Sequence, residues 1–270
     1  MLIGLLVAKY FSYLAVIIFA IVSIIKVSRY ATMPLHLRWE LYPVPHEEGG
    51  LPKELKEMFT EMLTMKRIFE NRRGLWYFAY AYHGGIYLIL LWAVLLLIGG
   101  IADLFAPGAL PGGYQYLIAV VGGLGMISVT VGTFALLIQR LTDEEYKVYN
   151  APVDYLNLFF AFIVALTGLL SWILVDPMLV SPREYVAFLI SFGASNLPAV
   201  VVSNPLVILH LALLELFIAY VPFTRMLHFF GKYFMYHKIM WDTQPGLTGN
   251  VDYEITWEQE KGKRWRDLYE

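Results

Sequence analysis

The sequence predicts an all-α, polytopic membrane protein: a five-helix bundle with its N-terminus outside and a cytoplasmic loop and tail. Three observations carry this expectation. Hydrophobic residues make up 59% of the 270-residue chain and charged residues only 16%, where a typical soluble domain is about 25% charged. The apolar residues gather into five stretches of roughly 20–25 residues, the length that crosses a ~30 Å hydrocarbon layer. Finally, 17 of the 20 Lys and Arg residues fall in three of the segments that join or follow those stretches.

The expected spans are residues 1–25, 75–100, 115–138, 154–175 and 205–230. The first has neither a basic leader region nor a small-residue cleavage site, so it reads as a retained helix. The second ends at Gly99, Gly100, Asp103 and Pro107. The third carries Gly122, Gly123, Gly125 and Gly132, and small residues let neighbouring membrane helices approach closely. The fourth stops at Asp176-Pro177. A sixth apolar patch, 185–202, is broken by Gly193, Asn196 and Pro198. It reads as an interfacial or re-entrant piece, because irregular backbone exposed to lipid could not satisfy its polar groups.

Residues 26–74 hold nine Lys and Arg, residues 139–153 two, and the tail from Gly231 six. Basic loops stay inside, so the N-terminus is expected outside and the chain in the cell inner membrane. The domain division that follows is a five-span region over 1–230, with loop 26–74 inserted between spans one and two, and a cytoplasmic tail over 231–270. The loop continues into an amphipathic stretch with Leu55, Met58, Phe59, Met62 and Met65 near helical spacing. The tail carries Trp241, Trp257 and Trp265. These aromatics suit a docked partner protein, and they equally suit the aromatic belt of a membrane interface.

The net charge of −2 argues against a nucleic-acid partner, and the absence of cysteine excludes disulfides and thiolate-held metal clusters. Redox chemistry here would need a cofactor held by other side chains. Of the six histidines, His36, His46 and His237 read as surface residues. His83, His210 and His228 lie inside spans, where an ionisable residue is a functional candidate by default. His210 and His228 are 18 residues apart, which is five turns of one helix, so they share a face about 27 Å apart along it. His83 enters span two from the cytoplasmic side and matches the depth of His228. Two imidazoles facing each other across a bundle suit a low-spin haem. Buried, hydrogen-bonded structural histidines are the alternative. The same-face spacing and the matching depth favour haem.

With those residues in place the chain resembles the cytochrome b subunits of the respiratory nitrate reductase gamma family. The match in character extends to Leu136-Leu137-Ile138-Gln139-Arg140-Leu141-Thr142-Asp143 leaving span three and to Asp154 opening span four. The long first loop resembles the branch serving heterodisulfide-reductase-like and sulfite-reduction-associated complexes. The resemblance implies haem b, two groups in all, with an inner low-spin haem on His83 and His228. The nitrate reductase branch has a second histidine ten residues further along span two, where this chain has Ala93 beside Trp92. The outer haem is therefore expected to be high-spin on His210 alone, or absent.

Arg72, Arg73, Arg225 and Lys232 stand at heights suited to haem propionates, although simple positive-inside anchoring also explains them. Gly84 and Gly85 follow His83 and either leave room for a flat macrocycle or pack helices. Glu215 lies five residues past His210, about 140° around the helix. It either relays protons or sits protonated against a neighbouring helix. Tyr87, Asp103, Tyr114, Asn196 and Asn204 are the polar candidates for a quinone site near the outer span ends.

The function expected is that of an electron-transfer subunit of a quinone-linked oxidoreductase complex, with no catalytic residue of its own. Electrons would pass between a membrane quinone, menaquinone, and a cytoplasmic iron–sulfur subunit of heterodisulfide-reductase-like type. Further membrane or periplasmic subunits are compatible with this. The alternative is a non-catalytic membrane anchor for a cytoplasmic redox protein. A solute transporter fits poorly, because five spans without an internal repeat do not make inverted halves.

Overall fold

The computed structural model describes residues 2–32, 50–144, 147 and 150–235. His36, His46, His237 and the three tail tryptophans lie outside the described residues. Every regular element among the described residues is helical. Five helices are long and apolar enough to cross a membrane, and the chain is a multi-pass membrane protein. They are α1 (Leu2–Thr32), α4 (Arg73–Phe105), α5 (Tyr114–Thr142), α6 (Pro152–Leu174) and the stretch Pro205–Phe223. The last begins as α9 (Pro205–Tyr220) and ends in a 3-10 turn. The shorter helices are α2 (Gly50–Thr64), α3 (Lys66–Asn71), α7 (Val180–Ile190), α8 (Ala199–Ser203) and α10 (His228–Met235).

The patch 185–202 forms no span. It becomes the C-terminal half of α7 and then α8, separated where Phe192 and Gly193 both take positive φ, 54° and 84°. Span five is shorter than its apolar composition suggests. Pro222 lacks an N–H and cannot extend the α-helical ladder, and Thr224 is extended at φ −105°, ψ 179°. The Thr224 hydroxyl then caps Met226 N at 3.0 Å. His210 and His228 therefore do not lie on one unbroken helix.

The chain divides into two compact units, Met1–Ile24 with Thr60–Met226, and Ile25–Phe59 with Leu227–Glu270. In the first, α4 packs on α5, α5 on α6, and α6 on α9; α7 covers α4, and α8 joins α1 to α9. Glycines allow the closest approaches. A Cβ on Gly132 would stand 2.3 Å from Tyr82 N, and one on Gly85 2.6 Å from Val129 N. Gly122 receives the Trp92 ring, and Gly123 the Trp172 ring. In the second unit the rings of Tyr30 and Phe234 lie 6.1 Å apart.

α2 ends against α4. The last carbonyls of any helix lack intrahelical partners. Here the Tyr87 hydroxyl donates to Met62 O at 2.7 Å and the Trp76 indole N–H to Thr64 O at 2.8 Å. Met65, at φ 51°, turns the chain sharply into α3.

Candidate functional site

His83 is half-buried on α4. Its Nδ1 lies 2.9 Å from Ala79 O, one turn back. A carbonyl can only accept, so Nδ1 carries the proton and the ring lone pair lies on Nε2. The Tyr82 ring meets the imidazole edge-on at a centroid distance of 5.0 Å. The two glycines after it have different roles. Gly85 packs α4 onto α5, whereas a Cβ on Gly84 would meet only the Tyr80 ring of its own helix, at 3.7 Å.

His210 lies on α9 and turns toward α6. Its Nδ1 is 3.1 Å from Thr167 Oγ1. The Thr167 hydroxyl also lies 2.9 Å from Ile163 O and 3.0 Å from Val164 O. The hydroxyl has one proton and three acceptors in reach, so either Nδ1–H donates to Oγ1 or Oγ1–H donates to Nδ1, according to the tautomer. The ring rests on Gly168, where a Cβ would stand 2.9 Å from Cε1. Trp92 packs on Gly122 of α5 and Ala93 is exposed. His228 opens α10 in the second unit and is exposed.

Both in-span rings thus set Nδ1 against an oxygen, the kind of contact that orients a metal-ligating imidazole. Among the described residues no three His, Asp or Glu side chains converge on a metal position. A haem does not require that, because its porphyrin supplies four iron ligands and the protein adds one or two. The donor set fits the group.

The basic residues are spread out. Arg72 joins α3 to α4 and Arg73 lies over the Phe69 ring at 5.1 Å; both are exposed. Arg225 is exposed in the 3-10 turn Arg225–Leu227, and Lys232 lies on α10.

Only two of the five quinone candidates come together. Asp103 and Tyr114 line a cleft of about 240 Å³ with Arg183, Gln115, Leu110 and Pro111. Arg183 Nε lies 2.9 Å from Asp103 Oδ2, an ion pair whose N–H is misaligned for a hydrogen bond. Tyr114 donates to Leu95 O at 2.7 Å. Gln115 Nε2 donates to Met178 O at 2.6 Å, while its buried Oε1 has no partner among the described residues. Tyr87 is committed to Met62 O. Asn204 caps α9, accepting from Leu206 N and Val207 N, and Asn196 is exposed in the loop between α7 and α8. Sequence reasoning missed Arg183 and Gln115. The available signal was that Arg183 is a cation set apart from the basic loops, in a segment facing the end of span two.

Residues 62–242, more than half of the chain, match the family model for the nitrate reductase gamma subunit. The chain belongs to the nitrate reductase gamma subunit family. His83, His210 and His228 all fall in the matched stretch. This gamma-type subunit is a membrane cytochrome b component in electron transfer and part of a multi-subunit redox enzyme complex. No curated protein matches the chain.

Proposed function

We propose that this subunit passes electrons between menaquinone and an iron–sulfur subunit of heterodisulfide-reductase-like type on the cytoplasmic side. The observation that carries the reading is the shared anchoring of His83 and His210, each with Nδ1 set against an oxygen. Bound haem b supplies reversible one-electron chemistry, while the protein sets ligands, height and charge. His83 with His228 would hold an inner, low-spin group, and His210 alone an outer, high-spin one. The exposed Arg72, Arg73 and Arg225, with Lys232, would meet propionates at the membrane boundary.

Menaquinone is assigned to the cleft of Asp103, Tyr114, Gln115 and Arg183. The unpaired Gln115 Oε1 suits a quinol hydroxyl, and the Arg183 guanidinium suits a quinone carbonyl. The distribution of Lys and Arg supports an outside N-terminus, the inner membrane as location, and a partner on loop 26–74 and the tail. The chain has no cysteine of its own, so clusters belong to that partner.

Reduced-minus-oxidised visible spectra of the purified protein test the reading. We expect b-type bands and two haems per chain. His83→Ala should remove the low-spin signal and His210→Ala the high-spin, carbon-monoxide-binding one. A colourless protein that still holds its redox partner would instead be a membrane anchor.

A further inference from the structure

The largest feature outside this reading is a carboxyl group deep in the apolar slab. Glu215 on α9 is 6% exposed and Ser12 on α1 is 8% exposed. Each lies ten residues past the start of its spanning helix, about 15 Å in at 1.5 Å per residue. The Ser12 hydroxyl hydrogen-bonds with Glu215 Oε1. It also lies 2.6 Å from the Tyr185 hydroxyl of α7 and a longer 3.4 Å from Val7 O. Tyr185 in turn donates to Ala8 O at 2.8 Å. Ala8 and Val7 belong to a π-helical turn, Val7–Phe11, a distortion often found at functional sites. Glu215 Oε2 is buried with no hydrogen-bond partner among the described residues.

Counting protons shows what each state of the group leaves unpaired. Ala8 O can only accept, and in the Tyr185–Ser12 contact either hydroxyl can be the donor. Ser12 has one proton and two main neighbours, Tyr185 Oη and Glu215 Oε1. With Glu215 neutral, the chain runs one way: Glu215 to Ser12, Ser12 to Tyr185, Tyr185 to Ala8, and every donor is used. With Glu215 ionised, Ser12 must turn to the carboxylate, and a buried charge is left with a single hydrogen bond.

Among the described residues no cation offsets that charge. On α1, Lys9 has its ammonium 5.7 Å from the Tyr10 ring centroid and its Cε beside Gly193, and the Tyr13 hydroxyl donates to Leu189 O. On α7, Arg183 is paired with Asp103, and Glu184 is exposed. On α6, Asp154 is bonded to Ala151 N at the far end of the helix, and Tyr155 to Arg140 O. α8 has no charged residue. On α9 itself stand His210, bonded to Thr167, and Tyr220, bonded to Asn157. An uncompensated charge at this depth is costly.

We propose that Glu215 is a proton-binding site inside the membrane, resting as a neutral acid on the Ser12–Tyr185–Ala8 chain and exchanging its proton with water. On release the O–H bond at Oε1 breaks, the proton leaves to water, and the Ser12 hydroxyl turns from Tyr185 to the carboxylate; no electrons change hands. Proton occupancy therefore sets the direction of the hydrogen-bonded chain that links α1, α7 and α9. The site stands apart from the haem reading.

Dicyclohexylcarbodiimide, which adds to protonated carboxyl groups in apolar surroundings, tests the proposal on the full chain in lipid nanodiscs. We expect an adduct on the Glu215 peptide that diminishes as pH rises and is lost in Glu215→Gln. Glutamine can donate to Ser12 as the acid does, so Glu215→Gln should keep the thermal midpoint while Glu215→Ala lowers it. Tyr185→Phe removes the hydroxyl that pairs with Ser12 and should shift the pH at which labelling is lost. An infrared carbonyl band of a protonated acid, present in the wild type and missing in Glu215→Gln, reports the same proton where the reagent does not reach. Absence of both adduct and band overturns the proposal. So does a Gln variant as unstable as the Ala variant, or a Tyr185→Phe profile that does not move.

Discussion

The His210 imidazole rests on Gly168: a Cβ there would stand 2.9 Å from its Cε1 and 3.3 Å from its Nε2. The glycine, together with the Thr167 hydroxyl one residue earlier, determines where the ring of α9 meets α6. Gly168→Ala should displace the ring, at a cost of about 1–3 kcal/mol for overpacking. The high-spin signal assigned to His210 should change while the low-spin signal of His83 stays. Thr167→Val removes the hydrogen-bond partner of Nδ1 without adding bulk and should alter the same signal with little loss of thermal stability. A spectrum unchanged in both variants would remove His210 from the electron path.

The end of α2 offers a second test. Tyr87→Phe and Trp76→Phe each delete one donor to a terminal carbonyl, Met62 O and Thr64 O. Each should lower stability by about 1 kcal/mol. The pair together should speed proteolysis around residues 60–65 well beyond the rate in α5. Unchanged cleavage kinetics in the double variant would show that these hydrogen bonds do not hold α2 to α4.

The glycines of the α4–α5 contact should not be equivalent to those in loops. Gly132→Ala and Gly85→Ala place a Cβ at 2.3 and 2.6 Å from backbone nitrogen, which cannot rotate away. Gly112→Ala and Gly113→Ala meet nothing within 4 Å. We expect a large fall in the detergent melting temperature for the first pair and almost none for the second. Similar midpoints in all four would mean that α4 and α5 are not in close contact.

The cleft at the end of α4 separates binding from stability. The Asp103–Arg183 pair is partly exposed, at 35% and 22%, so its contribution to folding should be about 1 kcal/mol or less. Arg183→Gln should instead raise the KM for a menaquinol analogue several-fold with haem spectra intact. Gln115→Leu, which removes the unpaired acceptor, should act in the same direction. An unaltered KM in both variants would place the quinone elsewhere.

Much of this was legible in the chain. Five apolar stretches, the broken patch 185–202 and the amphipathic segment leading to Met65 can each be read one helix at a time. Length, hydropathy and breakers such as Gly193 act locally and need no partner. The histidines were legible as ligand candidates because an imidazole among so many apolar residues demands a reason. Family membership then followed from the stretch 62–242.

What only the tertiary structure decided is which side chains meet. Helices apolar nearly all round do not announce which face turns inward, so the sequence of span two could not separate Gly85, which packs on Val129, from Gly84, which does not. Nor could it pair His210 with Thr167 and Gly168, Asp103 with Arg183, or Glu215 with a serine 203 residues away. It also could not show that the backbone breaks at Thr224, because Pro222 is tolerated in membrane helices whose neighbours satisfy the freed groups. Composition and spacing determine that a helix crosses the membrane. Its rotation and its neighbours are set by close packing between helices, and there a difference of one Cβ determines the contact.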